Sequence, residues 1–256
     1  MSAPDQDMRG TATSPYSEAF YRSLDATAEA SACRIWPMLI ELCPVVSVVD
    51  VGCGDGGWLA AARNHGISDV LGLEGPWIGE ALLKIPAQQF RRVRLDQPFA
   101  VGRRFDLALS LEVAEHLPAE RAADFVAELT ALAPMILFSA AIPGQGGAHH
   151  LNEQWPSYWA RLFAERGYRA LDVLRHRLWD DPMIAFWYKQ NLLLFASDAA
   201  LAARPDLAAA AAAGEPLPLV HPDLFRTVGR AARPRIGRWL KMAPQVIRRS
   251  LQPKAK

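Results

Sequence analysis

The sequence predicts an α/β fold in which helices cover both faces of a mostly parallel, doubly wound sheet. Between residues 45 and 196, short apolar and β-branched runs alternate with helical segments. Most of these runs are apolar at consecutive positions, which is typical of parallel strands buried on both faces. The chain has 256 residues and is 51% hydrophobic, with 28 Lys and Arg against 27 Asp and Glu. This composition fits one sizeable globular core and excludes collagen-like, largely disordered and multi-span membrane classes.

The predicted elements of the first half alternate along the chain. The first 15 residues are polar, and we expect them to be disordered. A helix is predicted over 17–42, where apolar residues recur near helical spacing. Five buried strands follow, with helices between them over 57–64, 77–84 and 119–132. The strands are predicted at 45–51 (VVSVVDV), 69–74 (DVLGLE), 89–93 (QFRRV), 105–110 (FDLALS) and 135–140 (MILFSA).

The last two predicted strands have no helix between them. A helix over 157–167 is followed by the runs ALDVLRHRLW (170–179) and YKQNLLLFA (188–196), which DDPMIAFW joins. This pair predicts an antiparallel addition at the edge of the sheet and brings the sheet to seven strands.

Charge divides the chain unevenly. We separate an N-terminal extension (1–44), a folded domain (45–196), and an Ala/Pro-rich linker with a basic tail (197–256). Residues 221–256 carry ten Lys and Arg against the single acid Asp223, so the first 220 residues have a net charge of −8. Basic and apolar residues interleave over 236–251, a pattern that allows peripheral contact with an anionic membrane, although Pro244 interrupts any long helix. Docking on the acidic body and nucleic-acid binding are the alternatives for this tail.

Cysteine usage and the first residues indicate a compartment. The three cysteines form no CxxC pair and have no disulfide spacing. The start, MSAPDQDMRG, lacks the apolar run of a secretory signal. We therefore expect a cytoplasmic protein, with membrane association through the basic tail as an extension of that prediction.

A glycine-rich turn follows the first strand and predicts a ligand. In VVDVGCGDG (48–56), Gly52, Gly54 and Gly56 let the backbone turn tightly and approach a ligand where a Cβ would clash. Asp50 lies inside the strand, where its carboxylate repels a pyrophosphate but suits a cationic amino-acid moiety. Glu74 ends the second strand, where an acid can accept hydrogen bonds from both ribose hydroxyls.

With these residues, the core resembles the class I S-adenosylmethionine-dependent methyltransferases. Asp50 and the three glycines match the first motif of that family, and Glu74 matches its ribose-binding acid. The resemblance spans about residues 45–196 and implies a Rossmann-like fold, methyltransferase activity and S-adenosylmethionine as cofactor. The cofactor-binding residues that it implies are Asp50, Gly52, Gly54, Gly56, Glu74, Gly75, Leu95, Asp96 and Glu112.

The sequence departs from the family at the adenine position. The family usually has an Asp-Leu pair after the third strand, whereas this chain has Arg94 before Leu95. Either Asp96 replaces the missing acid through a local shift, or the Leu95 backbone and apolar packing from Pro76 and Trp77 hold the adenine.

Two further segments carry candidate catalytic residues. In SLEVAEHLP (110–118), a helical turn would place Glu112, Glu115 and His116 on one face, where they could bind a divalent metal or supply a general base. This segment resembles the ExxEH of small-molecule O-methyltransferases and the metal-binding ExxEH of small-RNA terminal 2′-O-methyltransferases. An acid-rich cap on the cofactor is the plainer interpretation.

The second segment is IPGQGGAHHLNEQWPSYW (142–159). Its glycines predict a mobile loop that closes over a substrate. His149 or His150 could act as base, and His150 could complete a metal site with Glu112, Glu115 and His116. Alternatively, one of these histidines only caps the next helix or packs on Trp155.

These features favour O-methylation of a small molecule or of a sugar or glycan hydroxyl, because an oxygen acceptor benefits from a base or metal. Five aromatic residues could line the acceptor site or merely pack: Trp155, Trp159, Trp179, Trp187 and Tyr188. Asp180 and Asp181 could contact hydroxyls or lie in a solvated turn. The alternatives are an RNA 2′-O-methyltransferase, which the acidic body disfavours, and a non-catalytic cofactor-binding protein on the same fold.

Overall fold

The computed structural model describes residues 18–211 and 214–232. The chain divides into two compact units, Met1–Leu219 and Val220–Lys256. The predicted N-terminal disorder (1–15) and the basic amphipathic segment (236–251) lie outside the described residues. None of the described helices is long and apolar enough to cross a membrane.

The first unit contains a seven-stranded sheet with the order β3-β2-β1-β4-β5-β7-β6. The strands β1 to β5 run parallel, and β7 runs antiparallel to both of its neighbours, β5 and β6. The predicted α/β fold and its antiparallel edge addition are therefore confirmed. The strands are β1 Ser47–Val51, β2 Asp69–Glu74, β3 Phe90–Arg92, β4 Leu107–Leu111, β5 Met135–Ser139, β6 Tyr168–Leu171 and β7 Leu193–Ser197.

Helices cover both faces of this sheet, because consecutive strand residues are apolar and point to opposite sides. On one face α1 packs with α2, and on the other α3 packs with α4. The helices of the first unit are α1 Glu18–Leu42, α2 Gly57–Asn64, α3 Ala122–Leu132, α4 Pro156–Ala164, α5 Arg175–Leu178, α6 Phe186–Asn191, α7 Asp198–Ala202 and α8 Pro205–Ala211. The second unit contains α9 Pro222–Ala232.

The first helix is part of the core. Ile35, Trp36 and Leu39 of α1 are fully buried, and the Trp36 indole donates to the Trp58 carbonyl of α2 at 2.9 Å. Burial of such large apolar side chains stabilises the fold by about 1.5–3 kcal/mol each.

The helix predicted over 77–84 is wrong. Only the short 3₁₀ turn Glu80–Leu82 forms there, and its residues are not buried. Without a buried apolar face, a short helix gains too little from packing to offset the cost of nucleation. The segment is instead fastened at its end, where the Lys84 N–H donates to the Asp55 carbonyl at 2.8 Å.

The two C-terminal strands are shorter than predicted. The run 170–179 leaves the sheet after Leu171 and forms α5, and the run 188–196 starts inside α6 before β7 begins at Leu193. Arg175 decides the first change: its buried guanidinium pairs with Asp172, one helical turn away, and donates to the Gln190 carbonyl at 2.9 Å. A buried cation needs these partners, and a straight strand would separate them.

Candidate active site

The strand order reverses between β1 and β4, and ligands bind in such folds beyond the carboxyl ends of the strands at this point. The glycine turn after β1 lies there, with φ of +87° at Gly52, +55° at Gly54 and +85° at Gly56. A Cβ on Gly52 would lie 2.4 Å from Val113 Cγ2, and one on Gly56 would lie 2.9 Å from Ile85 Cγ1. A Cβ on Gly54 would meet no atom within 4 Å. Two glycines therefore serve packing, and Gly54 faces open space.

Glu74 closes this turn from the end of β2. Its carboxylate accepts from the Gly54 N–H at 3.0 Å and from the Gly75 N–H at 2.6 Å. Burial raises the pKa of the Glu74 carboxyl, and hydrogen bonds from Gly75, Gly54 and the Trp77 side chain limit the rise. The Trp77 ring rests on Gly75, where an added Cβ would come within 2.1 Å of the ring.

Asp50 adds a second buried carboxyl to the crevice. Burial, together with the charges of Glu74 and Asp55, raises its pKa well above the ordinary value. Clustered acids repel one another, and a cationic ligand relieves this repulsion whereas a pyrophosphate would increase it.

At the predicted adenine position, Leu95 is buried and Asp96 is exposed. The Asp96 carboxylate accepts from Arg94 Nε at 3.1 Å and from Arg94 Nη2 at 2.6 Å. The hydrogen bonds from Arg94 lower the pKa of Asp96. The acid that could have replaced the family's adenine ligand is thus engaged by its own neighbour.

Glu112 follows β4 with a φ of +55°, a conformation that non-glycine residues rarely adopt. Its carboxylate accepts from Gln145 Nε2 at 2.8 Å and from Asn191 Nδ2 at 3.1 Å. Gln145 Oε1 in turn accepts from Gln190 Nε2 at 2.8 Å and from Asn191 Nδ2 at 2.9 Å. Burial raises the pKa of the Glu112 carboxyl, and the amide donors oppose that rise.

These three amides were missed by the sequence analysis. Gln190 and Asn191 were assigned to a strand, and Gln145 was treated only as part of a loop. The sequence carries a weak signal for them, since uncharged amides stand among apolar residues in YKQNLLLF (188–195).

Glu115 lies on the 3₁₀ turn Ala114–His116 and is 0% exposed. By hydrogen-bond geometry neither of its carboxylate oxygens has a partner among the described residues, although the backbone N–H groups of Glu115 and Ala141 are close enough to lower its pKa. Burial, and then the charge of Glu112, raises the pKa of this carboxyl well above its ordinary value. A fully buried carboxyl without a partner is costly and indicates a bound proton, ion or ligand.

His150 is brought to this turn by backbone hydrogen bonds. The Glu115 carbonyl accepts from the Leu151 N–H at 2.7 Å and from the Asn152 N–H at 3.0 Å. The His116 and His150 rings consequently lie 4.8 Å apart, nearly perpendicular. Burial and the neighbouring His150 lower the pKa of His116 to about 4, so its imidazole is neutral at physiological pH.

The structure brings three of the four predicted metal-binding residues together. Potential ligand atoms of Glu115, His116 and His150 all lie within 4.8 Å of one another. The Glu112 carboxylate is instead directed to Gln145 and Asn191, because the chain turns at its positive φ and does not continue as a helix. His149 is exposed, with a φ of +61°.

Of the five aromatic residues that could line the acceptor site or merely pack, the structure shows both buried and exposed members. Trp159 packs against Phe138 in the core, and buried Tyr188 accepts from the Trp58 indole at 3.3 Å. Trp155 is 38% exposed at the start of α4. The Asp181 carboxylate pairs with Arg34 at 2.8 Å and accepts from the Met183 N–H at 2.9 Å, a contact typical of a turn.

The fold and the acidic glycine-turn crevice define a class I S-adenosylmethionine-dependent methyltransferase. A family model described as a methyltransferase domain matches residues 17–160. The chain belongs to this methyltransferase-domain family. No curated protein matches the chain.

Solved structures share the fold. A sugar N-methyltransferase from Streptoalloteichus sp. aligns with a TM-score of 0.56 and 18% identity, covering 77% of this chain and 98% of that one. An amino pentose methyltransferase involved in calicheamicin biosynthesis, from Micromonospora echinaspora, aligns with a TM-score of 0.52 and 15% identity, covering 71% of this chain and 97% of that one. DesVI from Streptomyces venezuelae aligns with a TM-score of 0.51 and 17% identity, covering 70% of this chain and 96% of that one. At identities of 15–18%, these three alignments show that the structures share a fold.

Proposed function

We propose that this methyltransferase transfers the methyl group of S-adenosylmethionine to a hydroxyl of a small polar acceptor, such as a sugar or glycan. The observation that carries the proposal is the buried cluster of Glu115, His116 and His150 beyond the carboxyl end of β4. A hydroxyl is a weak nucleophile until its proton is removed, and such a cluster can take that proton. An amine would make less use of it.

We place the cofactor in the crevice formed by the glycine turn, Asp50 and Glu74. Glu74 would accept from the ribose hydroxyls, and Asp50 would face the cationic methionine moiety. Because Arg94 engages Asp96, we place the adenine against Leu95, Pro76 and Trp77. Gly54 would supply the close backbone approach, while Gly52, Gly56 and Gly75 would shape the turn against Val113, Ile85 and Trp77.

The transfer itself is an in-line displacement. A lone pair of the acceptor oxygen forms a bond to the methyl carbon, the carbon–sulfur bond breaks, and its electrons remain on sulfur, which gives S-adenosylhomocysteine. Without a metal, the hydroxyl proton passes to Glu115 in its ionised form; burial raises the pKa of this carboxyl, so the ionised form is a stronger base than an ordinary carboxylate. The protein contributes mainly by aligning oxygen and methyl carbon.

The same cluster fits a divalent metal, because Glu115 has two buried oxygens without a partner and the His116 imidazole is neutral. We propose Glu115, His116 and His150 as its ligands. Mixed carboxylate and imidazole ligands suit transition metals such as Mn²⁺ or Fe²⁺. When bound, the metal would acidify the acceptor hydroxyl.

The test is a screen with S-adenosylmethionine carrying a tritiated methyl group, run with and without chelator. Acceptor fractions would include sugars, glycans, amino sugars and RNA, and mass spectrometry would identify the methylated atom. Transfer to a hydroxyl supports the proposal, and loss of transfer with chelator supports the metal. Transfer confined to amino sugars would replace the proposal with N-methylation, the activity of the sugar N-methyltransferase from Streptoalloteichus sp..

Exchange of Gly54 for Ala tests the cofactor position. Gly54 and Gly66 both have positive φ, +55° and +88°, and a Cβ at either would meet no protein atom within 4 Å. Both variants should therefore lose about 1–2 kcal/mol of stability through backbone strain. Gly54→Ala should also weaken S-adenosylmethionine binding at least about 10-fold by calorimetry, whereas Gly66→Ala should leave it unchanged. Equal affinities would show that no cofactor approaches Gly54.

We also propose that the basic C-terminal residues contact an anionic membrane surface. In the described part, α9 exposes Phe225 to 79% and Val228 to 44%, beside Arg226. Deletion of 221–256 should abolish co-sedimentation with phosphatidylserine vesicles at low salt, with phosphatidylcholine vesicles as control. Equal sedimentation of both forms would remove this idea.

A further inference from the structure

One carboxylate fastens the glycine-rich loop after β5. Glu153 Oε2 accepts from the Gly144 N–H at 2.8 Å, and Glu153 Oε1 accepts from the Gly146 N–H at 2.9 Å. Oε1 also lies 2.8 Å from His150 Nδ1. The Glu153 side chain thereby joins both ends of the segment 144–150. We call this set of three contacts the Glu153 clasp.

The clasp orients His150. A carboxylate accepts hydrogen bonds and does not donate, so Nδ1 is the nitrogen that donates to Glu153, and Nε2 remains for other partners. Nε2 is then the nitrogen that can act towards Glu115 and His116. Gly147 packs beside it, since a Cβ there would come within 2.2 Å of Nε2, and only glycine allows this approach.

The clasp also determines where Gln145 lies. Gln145 stands between the two residues whose N–H groups Glu153 holds, and its side chain donates to Glu112 at 2.8 Å. The loop therefore contains His150 at one end and, through the Gln145 side chain, also contacts Glu112.

We propose that Glu153 is a positioning residue for methyl transfer, fastening the loop so that His150 and, through Gln145, Glu112 take up their places together. This inference rests on the proposed function of the Glu115, His116 and His150 cluster. Carboxylates behind a functional histidine commonly act in this way, and their loss typically costs 10–100-fold in activity or metal affinity.

The test is Glu153→Gln, which keeps the shape of the side chain but turns an NH₂ group towards one of the three donors. Hydrogen exchange of the 144–150 amides should rise at least about 10-fold. Mn²⁺ affinity, measured by electron paramagnetic resonance, should fall about 10–100-fold. The affinity for S-adenosylmethionine should fall less than the Mn²⁺ affinity, because Glu112 is the one predicted cofactor residue that the clasp reaches, through Gln145. The matched control is Glu165→Gln, an exposed carboxylate at the end of α4, for which all three values should stay unchanged.

A double-variant cycle isolates the route through His150. Once an acceptor is known, Glu153→Gln should lower kcat about 10–100-fold with little change in KM, and should add less than about threefold in a His150→Ala background. Full additivity would overturn the positioning role.

The exchange measurement separates this inference from the proposed function. Unchanged exchange over 144–150 in Glu153→Gln would overturn the clasp, even if hydroxyl methylation were established. Raised exchange with transfer only to amines would uphold the clasp and overturn the proposed function. If Glu153→Gln does not fold, Glu153→Asp, whose shorter side chain cannot reach all three donors, is measured in the same way.

Discussion

Replacement of Glu74 by Gln should lower the affinity for S-adenosylmethionine and for S-adenosylhomocysteine by at least about 100-fold. Both compounds contain the ribose that we assign to this carboxylate, so both should be affected equally. A hydrogen bond to a charged group contributes about 1.5–3 kcal/mol; the amide keeps one neutral acceptor oxygen, so one such bond is lost and the other is weakened. An amide also cannot accept from both the Gly54 and Gly75 N–H groups, which lie at 3.0 and 2.6 Å.

Calorimetric titration of the two compounds measures this effect. Glu80→Gln is the control, because Glu80 lies on the exposed turn after β2 and contacts Arg92 at 3.6 Å. Circular dichroism would show that both variants are folded. An affinity of Glu74→Gln within threefold of wild type would remove the ribose assignment.

Replacement of Glu115 by Gln should have opposite effects on turnover and stability. Loss of a general base typically lowers kcat about 10²–10⁴-fold. The unliganded protein should become more stable at neutral pH, since a buried carboxylate without a partner costs about 1–3 kcal/mol or more.

The stability effect has a definite pH dependence. Because the folded-state pKa of Glu115 is raised, the native protein holds its proton more tightly than the unfolded chain. The free energy of unfolding of wild type therefore falls as pH rises above the unfolded pKa, about 4.3, towards the folded value. The stability advantage of Glu115→Gln should be absent near pH 4 and greatest above the folded pKa.

Thermal unfolding at pH 5 and pH 8, in the presence of chelator, measures this difference. A change of 1 kcal/mol corresponds to about 2–4 °C in Tm for a domain of this size. Exposed Glu120, replaced by Gln, should show no such trend. A Tm of Glu115→Gln below that of wild type at pH 8 would contradict the burial of an unpartnered carboxyl.

The sequence predicted the five strands of the first half and the glycine turn because both rest on local demands. A run such as VVSVVDV is short, rich in β-branched residues and apolar at nearly every position, which favours a buried strand over a helix. Gly52 and Gly56 are required where the chain takes a positive φ under Val113 and Ile85. Glu74 could be predicted as well, because it ends a recognisable strand.

Local spacing was insufficient at Glu112. The i, i+3, i+4 pattern predicts one shared face only if a helix forms, and the positive φ of Glu112 takes its carboxylate away from Glu115 and His116. The predicted strand boundaries near 170–191 were wrong for a related reason. The buried Arg175 guanidinium pairs with Asp172 and with the distant Gln190 carbonyl, and the strand ends before Arg175.

By itself, the sequence determined the sheet, the glycine turn at which we propose that the cofactor binds, and the residue types available for chemistry. Only the tertiary structure decided which of those residues meet. Glu112 contacts Gln145 and Asn191, which are 33 and 79 residues away, and the Glu115 carbonyl draws His150 to His116. Backbone propensity acts over a few residues, whereas such contacts are fixed by the packing of whole elements and by the need to pair buried polar groups.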